Sequence, residues 1–354
     1  MKKLKIGIVG LGNISRVHRE AYRKNEDVEI YAFCDINEER LKKEAEEWGI
    51  THCYTDVEQM VRELPELDAV SICVWNCNHA KCAIAALNAG KHVLCEKPIA
   101  KTVEEAEAMI EAARRNDRLL MVGFCCRFGT DTALIQQFAE KGFFGEMYYA
   151  KASYLRRNGN PGGWFANTKY SGGGPMIDLG VHIMDLTRYL MGNPKPVAVS
   201  AIAVRKLQDR EDVYLADRYR GSDPDGQNVN DVEDLASAFI RYDNGAALMI
   251  DSSYELNIKE NDYSMQLFGT KGGVRIAPDF EMYTDQNGVM VNLTTTGTNL
   301  PDPDQLLFDR EIKHFTDCIL HNVPCMAPAE DGLTILRRIA AVYESAKLGH
   351  EVLL

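Results

Sequence analysis

The sequence predicts an α/β plus α+β chain: a doubly wound parallel sheet, then a second domain on a mainly antiparallel sheet with helices on one face. Three observations carry this. Apolar runs of strand length alternate with helix-length segments from the N-terminus to residue 123. Within that stretch, residues 3–24 read as a strand, a glycine turn and a helix start. After residue 123 the strand-like runs lengthen and alternate in polarity, with turn signals between them.

Residues 3–9 form a short apolar strand that runs into Gly10-Leu11-Gly12-Asn13-Ile14-Ser15 and a helix-compatible stretch ending at Lys24. That order cradles a pyrophosphate on backbone N–H groups and on the positive end of a helix dipole. Gly10, Gly12, Asn13 and Ile14 are therefore assigned to a dinucleotide. Ser15 replaces the third glycine of the fingerprint and is small enough to keep helix and strand close. A second apolar strand, 28–34, ends in Asp35. A carboxylate there accepts hydrogen bonds from the adenosine ribose and repels a 2′-phosphate, so NAD is expected rather than NADP.

The same rhythm continues. Residues 68–74 are a buried-strand run bounded by Trp75-Asn76-Cys77-Asn78-His79, and an alanine-rich helix follows to Ala89. Next come a strand at 92–94, Glu96-Lys97-Pro98, a helix over 103–115 and a strand at 119–122. Ligands of such sheets sit at the carboxyl ends of the strands. That places Asn76, His79 and Lys97 on the rim where a nicotinamide would lie. Pro98 biases the Lys97 backbone towards an extended form. A Rossmann dinucleotide-binding domain is expected over residues 1–123.

Residues 124–354 are expected to form a second domain on a mainly antiparallel sheet. Its strands are placed at 147–155, 197–204, 235–241, 246–254 and 263–269. Asn244-Gly245 reads as a hairpin and Lys271-Gly272-Gly273 as a turn. Helices are expected over 175–191, 305–321 and 331–348, and the polar stretch 207–230 reads as a long loop or arm.

Composition bounds the function. The chain has 354 residues, of which 45% are hydrophobic, enough for two cores. A net charge of -12 argues against nucleic acid and against an anionic membrane surface as partners. No apolar stretch approaches the roughly 20 residues that span a bilayer. A cytoplasmic location is expected, with the ten cysteines as free thiols. Their spacings lack paired C-x-x-C geometry, so no metal is expected.

The run Gly172-Gly173-Gly174-Pro175 leads into an apolar helix that carries Asp178 and His182. At 100° per residue these two share a stripe with Asp185 and Tyr189. Pro175 suits a first helical turn, and the glycines permit close backbone approach to something bulky. Removing hydride from a carbinol carbon requires a base within hydrogen-bond reach of its hydroxyl. An imidazole, with a reference pKa of about 6.5, takes such a proton at neutral pH. Asp178 is placed to orient His182 or to accept a second substrate hydroxyl, and Asp185 reads as structural.

Taken together, Gly10-x-Gly12-x-x-Ser15, Glu96-Lys97-Pro98, Gly123-Phe124 with Arg127, and the glycine run leading to Asp178-x-x-x-His182-x-x-Asp185 resemble the glucose-fructose oxidoreductase / inositol dehydrogenase / rhizopine-catabolism (Gfo/Idh/MocA) family. The resemblance spans nearly the whole chain. It implies a dehydrogenase that acts on one secondary hydroxyl of a sugar, polyol or related ring with NAD or NADP. It implies catalytic roles for Lys97, Asp178 and His182, and a homodimer or homotetramer formed through the C-terminal sheet. It also adds Glu96 to the cofactor residues and Arg127 to the substrate residues. One departure stands out: Trp75 occupies a place where many members have a small residue or proline, so Trp75 joins the cofactor contacts. Tyr154, Arg156, Trp164 and Tyr170 complete the substrate set, because aromatic faces beside polar groups suit a sugar ring, although such residues also serve packing. Two other functions fit the same residues: an NAD-dependent glycosidase working by transient ring oxidation, and a non-catalytic NAD-binding sensor.

Overall fold

The structure is a computed structural model that describes residues 3–208, 210, 219–297 and 306–354. It divides into two compact units, Met1–Phe128 with Asp304–Thr334, and Gly129–Pro303 with Ile335–Leu354. The first unit thus extends past residue 123 and recovers a late segment of the chain. The reason is local. Arg127 is anchored to Met326 and Asp331, and the Val122 N–H donates to the Ala327 carbonyl, so residues 326–331 belong with the sheet they cover.

In the first unit the strands are β1 (Leu4–Val9), β2 (Val28–Cys34), β3 (His52–Tyr54), β4 (Ala69–Ile72), β5 (His92–Glu96) and β6 (Leu120–Gly123). Helices α1 (Asn13–Arg23), α2 (Glu38–Trp48), α3 (Val57–Glu63), α4 (Asn76–Asn88) and α5 (Val103–Arg115) connect them. The sheet is parallel with order β3-β2-β1-β4-β5-β6, the doubly wound dinucleotide-binding order. Ile6, Ile8, Val70 and Ile72 are fully buried because both faces of the sheet are covered. Helix starts follow from sequence: Asn37 and Asp56 cap α2 and α3, and Thr102 with Glu105 forms a capping box on α5.

The second unit contains α6 (Thr130–Glu140), β7 (Met147–Leu155), α7 (Thr168–Ser171), α8 (Val181–Leu190), β8 (Pro196–Val204), β9 (Leu235–Tyr242), β10 (Ala247–Ser253), β11 (Asp262–Gly269), β12 (Gly272–Ala277), β13 (Glu281–Gln286) and β14 (Val289–Leu293). Helix α9 (Leu307–His321) belongs to the first unit, the chain passes into the second within α10 (Ala329–Leu348), and β15 (Val352–Leu353) follows. The nine-stranded sheet has order β14-β13-β12-β11-β7-β10-β9-β8-β15, antiparallel throughout except for β10 with β7. Ala150, Ala152, Ile250 and Leu267 are buried on the face that α8 covers, while Tyr149, Phe239 and Met249 lie on the other. Among the described residues no helix is long and apolar enough to cross a membrane.

The Asn244-Gly245 hairpin forms between antiparallel β9 and β10, whereas the expected turn at Lys271-Gly272-Gly273 changes. The Asn244-Gly245 turn forms with only Gly245 at positive φ, and Gly245 N–H donates to the Tyr242 carbonyl, so it is a type I turn closed by a left-handed glycine. Gly272 and Gly273 lie inside β12, not in the turn before it. A Cβ on Gly272 would stand 2.9 Å from the Tyr283 carbonyl oxygen, so the glycine serves strand approach. The stretch 207–230 lies partly outside the described residues.

Gly269, at the end of β11, abuts the carbonyls of Phe144 and Gly272 so closely that no Cβ fits without backbone movement. Gly269→Ala is expected to cost about 1–3 kcal/mol, read as a lower urea midpoint.

Candidate functional site

In the first unit the expected cofactor residues begin at the turn after β1. Gly10 has φ +87°, and a Cβ on it would lie 2.6 Å from the Cys73 carbonyl oxygen, so only glycine lets β1 end against the segment leaving β4. Gly12 is the opposite case, because nothing stands within 4 Å of its missing Cβ. Asn13 and Ile14 open α1, which has no side-chain cap. An uncapped helix N-terminus behind an open glycine at the switch point between β1 and β4 fits a pyrophosphate.

Asp35, 5% exposed, ends β2. Its Oδ2 accepts the Leu11 N–H at 2.7 Å and Arg40 Nη1 at 3.3 Å, and its Oδ1 accepts the Asn37 N–H at 2.8 Å. The carboxylate therefore holds the glycine turn to β2 and keeps acceptor capacity on Oδ1. Trp75 is the N-cap residue of α4, and buried Asn76 is its first residue.

His79 departs from its expected role. It is buried, with Nδ1 2.7 Å from the Pro98 carbonyl and Nε2 3.0 Å from that of Val74. Both ring nitrogens face carbonyls, and burial lowers its pKa, so His79 ties two loops together and offers no nitrogen to a nicotinamide. Glu96 also changes role. Its Oε1 meets His18 Nε2 at 2.8 Å and its Oε2 accepts the Lys97 N–H at 3.1 Å, so this buried carboxylate supports Lys97 from beneath instead of reaching for a cofactor. Lys97 itself is half-buried and precedes a cis proline.

Behind Glu96 lies a buried polar group that no periodic pattern marks. His18 Nδ1 meets Ser71 Oγ, which also meets the Tyr22 hydroxyl. Burial opposes charge on His18, yet the Cys73 sulfur and the Glu96 carboxylate raise its pKa well above the ordinary imidazole value. Glu311 on α9 is fully buried, and neither carboxyl oxygen has a hydrogen-bond partner. Burial, then the nearby Glu96 carboxylate, push its pKa well up.

In the second unit the expected residues begin at the glycine run. The helix expected from Pro175 does not start as a regular α-helix: Met176–Gly180 forms a π turn that continues into α8. Its cause is tertiary. Glu233 receives the Gly174 and Met176 N–H groups on its two carboxylate oxygens, at 3.0 and 3.1 Å, and Ser252 Oγ donates to the Pro175 carbonyl at 2.7 Å. The bulky neighbours of the glycines are Tyr343, which a Cβ on Gly173 would strike, and Glu233, which one on Gly174 would strike. Tyr343 donates to Glu233 Oε1 at 2.9 Å.

Asp178 and His182 are both half-buried, whereas Asp185 is 1% exposed. Asp178 Oδ2 accepts the hydroxyl of fully buried Tyr254 at 2.9 Å. Sequence reasoning missed Tyr254 and Glu233, since neither stands in a motif. Tyr154 packs on the cluster of Ala166, Leu179, Val232 and Tyr254, and the Arg156 guanidinium lies 5.4 Å from the Tyr154 ring centroid. Tyr154, Arg156 and Asp178 are thus neighbours. Trp164 is buried against Phe165, and the Tyr170 hydroxyl donates to Asp225 at 2.6 Å, so these two are committed to packing and to a loop contact. Arg127 is a correction: it is 1% exposed, and its guanidinium binds the Met326 carbonyl and Asp331, which makes it a structural anchor rather than a substrate contact.

Comparison with known proteins places these features. Residues 4–124 match an oxidoreductase family described as having an NAD-binding Rossmann fold, and residues 132–275 match the GFO/IDH/MocA C-terminal domain. A D-glucoside 3-dehydrogenase of Escherichia coli (strain K12) is 33% identical over 352 residues, 99% of this chain and 97% of that protein. A myo-inositol 2-dehydrogenase of Thermotoga maritima is 28% identical over 288 residues, 80% of this chain and 79% of that protein. Among solved structures, an aldose-aldose oxidoreductase from Caulobacter crescentus complexed with glycerol superposes with a TM-score of 0.83 at 28% identity, covering 100% of both chains.

The buried Glu311 carboxyl makes stability depend on pH. With its native pKa raised, the stability it contributes is complete below the ordinary value of 4.5 and is lost as the pH rises through the elevated native value. Urea midpoints measured across that range should fall more steeply for the unmodified protein than for Glu311→Gln.

Proposed function

Because the chain belongs to the Gfo/Idh/MocA oxidoreductase family, with an NAD-binding Rossmann domain, we propose that it is an NAD-dependent dehydrogenase of a secondary hydroxyl on a sugar, cyclic polyol or glycoside. The observation that carries this reading is Asp178 held by Tyr254 on a turn fixed by Glu233, with His182 following in α8, in a chain that also carries a glycine turn and Lys97 supported by Glu96. The glucoside and inositol dehydrogenases among its relatives support the substrate class.

In this reading Gly10, Gly12, Asn13 and Ile14 receive the pyrophosphate, Asp35 the adenosine ribose, and Trp75 and Asn76 flank the nicotinamide. A bound nicotinamide supplies the hydride acceptor. His182 takes the hydroxyl proton on its imidazole as the carbon–hydrogen bond breaks. The Lys97 ammonium stabilises the oxygen as it gains negative charge. Asp178, fixed by the Tyr254 hydroxyl, orients the substrate or His182. Tyr154 and Arg156, beside Tyr254, line the sugar side. The second unit supplies substrate binding and assembly, and a second copy covers the sheet face that bears Tyr149, Phe239 and Met249.

Lys97→Ala and His182→Ala should each lower turnover by about 10²–10⁴-fold while NAD binding, followed by fluorescence, persists. Retained turnover would reject the roles. A panel of sugars, inositols and glycosides assayed for NADH absorbance identifies the substrate; cleavage of a chromogenic glycoside with no net NADH would instead mark a glycosidase. Asp35→Ser should shift the ratio of NAD to NADP affinity by about tenfold towards NADP, ~1.4 kcal/mol, because Arg40 remains beside the site to meet a 2′-phosphate.

A further inference from the structure

Away from the proposed site, α9 carries His314 and Cys318 one helical turn apart on one face. The helix ends at His321 with Asn322 in the left-handed conformation, and the chain then turns back to bring Cys325 beside them. The two sulfurs and the imidazole nitrogen all lie within 4.8 Å of one another. Cys318 Sγ is 3.4 Å from His314 Nε2, and that nitrogen also accepts the Met326 N–H at 2.9 Å. The contact fixes Nε2 as an acceptor, turned towards the Cys318 thiol. Cys318 is buried, whereas Cys325 is half-buried and follows exposed Asn322, Val323 and Pro324. The segment just after Cys325 is pinned, because the Met326 carbonyl receives Arg127 and the Ala327 carbonyl receives the Val122 N–H. The second sulfur is therefore held in place without a covalent link.

We propose that Cys325 and Cys318 form a peroxide-sensitive thiol pair, in which Cys325 is the attacking sulfur and Cys318 the resolving one. The Cys325 thiolate attacks one oxygen of a hydroperoxide. The O–O bond breaks, hydroxide or alkoxide leaves, and Cys325 becomes a sulfenic acid. Cys318 then attacks the Cys325 sulfur, and its proton passes to the departing oxygen. The S–O bond breaks, the oxygen departs as water with that proton, and a disulfide remains. Two electrons have passed from the sulfurs to the peroxide.

The surroundings favour this order. The Cys318 S–H beside Cys325 lowers its pKa to about 5; burial opposes the shift, and the His314 imidazole adds to it. A thiolate that is also partly accessible is the reactive form of cysteine. Elsewhere burial raises Cys34 to about 12 and Cys82 to about 11, which keeps them as inert thiols. Cys53 is exposed but stands in no such cluster among the described residues.

The test uses the full chain and hydrogen peroxide at a small molar excess. The expected result is the loss of two of the ten thiols, a non-reduced digest containing one cross-linked peptide pair joining Cys318 and Cys325 and two hydrogens lighter than the free pair, and full recovery with dithiothreitol. Cys318→Ser should stop at a sulfenic acid that dimedone captures on Cys325, and Cys325→Ser should abolish the reaction at both positions. Oxidation falling first on Cys53, Cys77 or Cys126 while Cys318 and Cys325 stay reduced would overturn the proposal. So would one equivalent of zinc in the purified protein, lost on either Cys318→Ser or Cys325→Ser, since that would make the cluster a metal site. The peptide map of the unmodified protein decides the matter even if a variant fails to fold.

Discussion

The close approach of Gly10 to the Cys73 carbonyl is the constraint on which the first unit turns. With the Cβ of any other residue 2.6 Å from that oxygen, β1 could not end where it does, and Leu11 could not reach Asp35 with its N–H. The open space at Gly12 and the uncapped start of α1 follow from the same placement. A backbone concavity rich in N–H groups, at the point where strand order reverses, is therefore a product of steric exclusion at one residue.

In the second unit a carboxylate plays the corresponding part. Glu233 receives two backbone N–H groups ahead of the π turn, and Tyr343 and the bare glycines enclose it. A helix start needs partners for its free N–H groups, and here one acidic side chain supplies them from the segment just before β9. Burial raises the pKa of Glu233, and the hydrogen bonds from Met176, Tyr343 and Gly174 work against that rise. The backbone that carries Asp178 and leads to His182 is thereby set in position by groups that are themselves not exposed.

Much of this was legible in the residues. The runs 28–34, 103–115 and 147–155 coincide with β2, α5 and β7, because apolar pattern and caps agree there. The glycine turn and Glu96-Lys97-Pro98 were legible for the same reason: local backbone demands select particular residues. What escaped depends on contacts remote in sequence. The π turn is set by Glu233 and Ser252, more than 50 positions away, and periodicity alone reads its residues as an ordinary helix. Arg127 and His79 read as polar residues near strand ends, yet each is consumed by carbonyls or a carboxylate that no spacing reveals. Strands β13 and β14 carry Glu281, Asp285, Gln286 and Asn292 and bury few side chains, so they lack the alternation that marked β7 to β11.

The anchoring of Arg127 by Met326 and Asp331 reaches beyond the finished fold. As the polypeptide leaves the ribosome, the six parallel strands emerge before the antiparallel ones, but β6 stays bare on one edge and a guanidinium stays without its counter-charge until residues 326–331 have been made. The nucleotide unit is thus begun before the long antiparallel strands and completed after them, which leaves that sheet to assemble while its predecessor is still unfinished.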